Sequence, residues 1–220
     1  MKKFKSTGII MAAGLLLTVF ISNIGAFISD GRKLDELRGS VLRLHILANS
    51  DSDEDQRLKL CVRDALLEKS GDIFGDAESL ESAEAAAQDK LGEIEKIAEK
   101  TLRAQGCSAS VKAELTDMYF NDRIYGDITM PAGEYRALRI EIGEAKGHNW
   151  WCVMYPPLCI PAACGVKTER KTADEAETIT EDKDVEADFF DEDELDIMYH
   201  PKKYRIRFAL WDKIKSFLEG

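Results

Sequence analysis

Residues 41–48 read VLRLHILA and run directly into Asn49-Ser50-Asp51-Ser52, and this stretch sets the fold class. Leu42, Leu44, Ile46 and Ala48 fall on one side and Arg43 and His45 on the other, the alternation of a strand with one buried face and one face in solvent. Asn-Ser-Asp-Ser is turn and capping chemistry, so Asp51 or Ser52 is expected to start a helix, with Glu54 and Asp55 in its first turn. Leu58, Cys61, Val62, Ala65 and Leu66 then recur at helical spacing.

Working outward, Gly71 and Gly75 break that helix, and a second, longer one is expected over residues 79–105, stopped by Gly106. Residues 108–116 alternate as a second strand. The turn residues Pro131-Ala132-Gly133-Glu134 precede a third strand carrying Leu138, Ile140 and Ile142. Residues 143–147 reverse the chain, so that NWWCVMY, residues 149–155, returns as its antiparallel partner until Pro156-Pro157 ends pairing. Trp150 and Trp151 then point to opposite faces, either one into the core and one to solvent or a partner, or both buried beneath a loop or helix. Residues 204–218 read as an amphipathic helix, although YRIRF at its start also alternates like a strand. The expectation is an α+β domain with a mostly antiparallel sheet, two consecutive helices after the first strand, a C-terminal amphipathic helix, and the helices on one face.

At the amino terminus Lys2, Lys3 and Lys5 precede an uncharged run over residues 8–28. This is an export segment, either cut near Ile24-Gly25-Ala26 or kept as an anchor, with the rest of the chain delivered across the membrane. The expected organisation is residues 1–30 as signal peptide or anchor, 31–166 as the core, 167–200 as an acidic disordered insertion, and 201–220 as a helix completing the domain. Residues 167–200 hold 14 acidic side chains against 4 basic ones, most of the chain's net charge of −11. Such a block is usually a solvated excursion, and removing residues 168–196 is expected to be tolerated. The acidic balance also argues against nucleic acid as a partner.

The densest group of reactive side chains is His148, Cys152, Cys159 and Cys164. It lacks the paired knuckles of a structural zinc site, and neither His45 nor His148 comes with the partners of a Cys–His nucleophile. A disulfide between Cys152 and Cys159 is the more natural reading, because export places these thiols in an oxidising space and the two flank the Pro-Pro turn. Cys61 reads as a small core residue. No phosphate-binding loop, HExxH helix or nucleophile elbow occurs in the sequence, so no catalytic residue, metal or cofactor is expected.

Two stretches, LRLHILANSDSDEDQRLKLCVRDALL (residues 42–67) and PAGEYRALRIEIGEAKGHNWWCVMYPPLC (residues 131–159), resemble the stage II sporulation protein R family. The resemblance implies a non-enzymatic signalling protein. It would be exported from the forespore into the space between forespore and mother-cell membranes. There it would activate a membrane-embedded aspartic protease of the mother cell that processes the early mother-cell sigma-factor precursor, pro-sigma-E. Arg43, His45, Asn49, Asp51, His148, Asn149 and Trp150 lie in these two stretches and are expected to reach solvent, which makes them the candidate contact residues. The acidic block does not match the family's pattern. The rival expectation is an exported thiol- or zinc-dependent hydrolase of the cell envelope.

Overall fold

The computed structural model of the protein describes residues 2–75, 77–125, 127–156 and 189–219. A 38-residue helix, α1 (Lys2–Gly39), leads into β1 (Leu42–Leu47), four helices α2 (Asp53–Glu68), α3 (Ser70–Phe74), α4 (Leu80–Asp89) and α5 (Leu91–Ala104), and β2 (Val111–Phe120). A small hairpin of β3 (Arg123–Tyr125) and β4 (Ile128–Met130) separates β2 from β5 (Gly133–Ile142) and β6 (Asn149–Tyr155). After the acidic block come α6 (Glu192–Tyr199) and α7 (Pro201–Glu219), which settles the YRIRF segment as helix.

The main sheet has the order β2-β5-β1-β6. Its β2–β5 and β1–β6 pairs are antiparallel and its central β1–β5 pair is parallel. β6 therefore pairs with β1 and not with β5 as the local sequence suggested. The 143–148 connection carries the chain over the carboxyl end of β1 before β6 descends on its far side. This crossing builds the site described below.

Both faces of the sheet are covered, which corrects the expectation of helices on one side. Leu42, Leu44 and Ile46 pack with Leu58, Val62 and Leu66 of α2 and with Ile94, Ala98 and Leu102 of α5. On the other face Ala137 and Val153 join Leu34 and Leu37 of α1, Ile128 and Met130 of the hairpin, and Ile197, Met198, Tyr204 and Phe208 of α6 and α7. With two apolar layers, β1 is a buried central strand and not a half-exposed one. Arg43 and His45, placed in solvent by the alternation, are 0% and 3% exposed.

Local departures have local causes. Ser52 is the cap of α2, its side chain accepting from the Asp55 N–H at 3.2 Å. The long helix expected over residues 79–105 is two, divided at Lys90, whose ammonium donates to the carbonyls of Asp72 (2.5 Å) and Ile73 (3.1 Å) and ties the bend to α3. Ser79 and Ser82 form a reciprocal capping box that fixes where α4 begins. The acidic block ends sooner than its charge suggested. Asp191 and Glu194 cap α6, and Phe190, Ile197 and Met198 are buried, so residues 190–200 belong to the domain.

The stretch of α1 from Ala13 to Gly39 is long and apolar enough to cross a membrane. Its side chains from Leu15 to Leu17 and Val19 to Ile21 are exposed, whereas Leu34 and Leu37 are fully buried, so one helix runs from a bare apolar rod into the core. Such a segment fits a signal peptide or a membrane anchor.

Candidate functional site

The connection between β5 and β6 closes over the loop that leaves β1, and backbone and side chains of the two are knitted together. Gly147 N–H donates to the Ala48 carbonyl at 2.9 Å and Lys146 N–H to the Asn49 carbonyl at 3.2 Å. The Asn49 side chain works both ways, accepting from Glu144 N–H at 3.0 Å and donating to Asp55 at 2.9 Å. Gly143 turns with a φ of 57°, and a Cβ there would collide with the Asn49 side chain, so the glycine serves both the turn and the close approach.

Asp51 reaches across the same seam. One of its carboxylate oxygens accepts from His148 N–H at 2.6 Å and lies 2.5 Å from His148 Nδ1. These contacts, the side-chain one first, hold the Asp51 carboxyl below its ordinary range. The Asp55 carboxyl is held low in the same direction by Ser50 and then Asn49. From beneath, Lys59 donates to the His148 carbonyl at 2.8 Å and to Gln56 at 2.6 Å, and its burial lowers its pKa. The result is a rigid polar platform in which the His148 side chain remains 80% exposed.

Of the seven candidate contact residues, the platform gathers Asn49, Asp51, His148, Asn149 and Trp150. Asn49 is half-buried and holds the loops together, while Asp51, His148 and Asn149 are exposed. Trp150 is half-buried against the α2 layer, with the Arg63 guanidinium 4.4 Å over its ring. Trp151 packs on the opposite layer, stacked on His45 at 4.1 Å and edge-on to Phe120 at 4.8 Å. Both tryptophans are thus half-buried, the alternative to one of them meeting solvent or a partner.

Arg43 and His45 do not join the platform. The Arg43 guanidinium lies 4.4 Å from the Phe120 ring and 4.9 Å from the Tyr135 ring, donating to the Cys152 carbonyl and the Tyr125 hydroxyl, each at 3.0 Å. Burial lowers its pKa. Burial likewise drives His45 down to about 4, so it is neutral at physiological pH. The aromatic cage of Arg43, including Tyr125 of the short hairpin, was not visible in the sequence, because its members are far from Arg43 along the chain.

Cys61 and Cys152 each take part in a disulfide, which corrects the reading of Cys61 as an unmodified core residue. The expected Cys152 pairing falls on Cys159, which lies outside the described residues, as does Cys164. Cys107 is a free thiol. Among the described residues no three His, Cys, Asp or Glu side chains are grouped to hold a metal ion.

No solved structure matches the chain. Stage II sporulation protein R of Bacillus subtilis (strain 168) is 43% identical to it over 118 residues, 54% of this chain and 53% of that protein. The chain thus spans about half the length of the curated relative it matches. The family model for stage II sporulation protein R matches residues 38–164, which takes in β1, α2, both loops of the platform and β6. The chain belongs to the stage II sporulation protein R family.

Proposed function

We propose that the protein is an exported sporulation signal, passed from the forespore into the intermembrane space, where it activates a membrane-embedded aspartic protease that processes pro-sigma-E. The observation that carries this reading is the platform itself. Two sequence stretches nearly a hundred residues apart converge on one rigid exposed edge, held by Asp51–His148 and Asn49–Glu144 bonds. A prearranged polar edge with a half-buried tryptophan suits recognition of another protein, because little side-chain freedom is lost on contact. Activation then requires tighter binding to the active arrangement of the receptor than to the inactive one.

His148, Asn149 and Trp150 make the contact in this proposal, and Asn49 and Asp51 position them. Arg43 and His45 act from within the core. Reconstitution tests the reading: the protein, the receptor protease and the sigma-factor precursor are co-expressed in a non-sporulating host and precursor cleavage is followed. Cleavage that requires the protein, persists in the cysteine, His45 and His200 variants that fold, and falls at least tenfold when His148, Asn149 and Trp150 are replaced together is the expected result. Cleavage unaffected by omitting the protein overturns it.

A further inference from the structure

We infer that α7 is a lipid-binding helix that lies on the anionic surface of the membrane beside the point where α1 leaves it. In a chain of net charge −11, α7 carries six basic residues against two acidic ones. Its exposed side bears Leu210 (52%), Ile214 (41%), Phe217 (86%) and Leu218 (77%), spaced as a single stripe at i, i+4, i+7 and i+8. Lys202 and Lys213 are exposed along one flank of that stripe, and Lys203 is exposed although it is paired with Asp196. A basic helix with an unburied apolar face seats its apolar side chains at the headgroup boundary, with lysine and arginine against lipid phosphates.

The opposite side of α7 fixes where this face sits. Trp211 packs edge-on to Phe27 of α1 at 5.8 Å and donates to Asp35 at 3.2 Å, and a Cβ at Gly31 would collide with its ring. Arg207 pairs with Asp30, and Asp212 with Arg38 at 2.7 Å. α7 therefore grips α1 in the turns that directly follow its bare apolar rod, within about 16 Å of Phe27 at 1.5 Å per residue. The first of these contacts, at Asp30 and Gly31, stand at about the depth of the headgroups if the rod is in the bilayer, and the acidic remainder of the chain is held off the same surface by its charge.

The test places the photo-cross-linking residue benzoylphenylalanine at Phe217 of the full chain, reconstituted in nanodiscs of phosphatidylcholine with phosphatidylglycerol or of phosphatidylcholine alone. The same probe at Leu16 reports that α1 is in the bilayer, and at Lys100 on α5, in the opposite layer, gives the background. Lipid adducts at Phe217 well above the Lys100 background, favoured by phosphatidylglycerol and reduced about fivefold by Lys213→Glu, are the expected result. With Leu16 adducts present, background-level lipid adducts at Phe217, adducts to a second copy of the chain alone, or adducts indifferent to lipid charge overturn the inference.

Discussion

Arg43 is a cation inside the protein, held among the described residues by one carbonyl, one phenol and the faces of aromatic rings, with one terminal guanidinium nitrogen left without an acceptor. Replacing it with alanine removes that filling and takes a donor from the Cys152 carbonyl and from the Tyr125 hydroxyl, which keeps its bond to the Trp151 carbonyl, at a cost of about 2–4 kcal/mol. Arg43→Met, which keeps the stem's volume, costs less. Urea denaturation of the two variants checks the order, and signalling should fall only as far as folding does. His45 gives a pH signature. Its folded pKa of about 4 lies below the ordinary 6.5, so the unfolded chain binds the extra proton first. Its contribution is complete above pH 6.5 and is lost as pH falls toward 4, by up to about 3 kcal/mol. Stability measured from pH 7 to pH 4 should therefore fall less steeply in His45→Gln than in the parent.

Among the elements, the α1–α7 contact depends on one glycine. Gly31→Leu drives a side chain into the Trp211 ring, so α7 should be released and cut by protease at concentrations that leave the parent intact. A deletion ending at Asp196, the boundary suggested by charge alone, removes buried Phe190 and an aspartate that bonds Lys203 at 2.7 Å and His200 at 2.9 Å. Such a chain should unfold at lower temperature than one deleted only through residue 188, as a thermal melt would show. These elements also mark what sequence reading reaches. β1, β2, β5 and α2 were legible because alternation and capping are local, written within ten residues or so. The partner of β6, the second helical layer and the burial of Arg43 and His45 were not. They depend on which distant strand lies beside β1 and on what covers its second face, and a period of two reads the same whether the polar side meets water or an aromatic cage. The platform was half legible: its residues stood in the two matching stretches, but the roles of Asn49 and Asp51 as ties appear only once the loops are superposed.

For the whole molecule, cysteine chemistry is consistent with a chain that works outside the cytoplasm. Alkylation of the unreduced, unfolded protein should label Cys107 and spare Cys61 and Cys152, which become reactive only after reduction; peptide mass mapping reads this directly. The order of the sheet has a further consequence, for the timing of assembly. β1 is the first strand made and one of the two central ones, yet Arg43 finds its neighbours in Ala137 and Val153. A chain delivered amino terminus first, from a ribosome or through a translocation channel, thus carries an apolar strand with no pairing partner until β5 and β6 have emerged. Long-range pairing of this kind is slow and closes late. The topology postpones the locked form until residue 155 has arrived, so on the proposed export route crossing a membrane and folding would be successive events instead of competing ones.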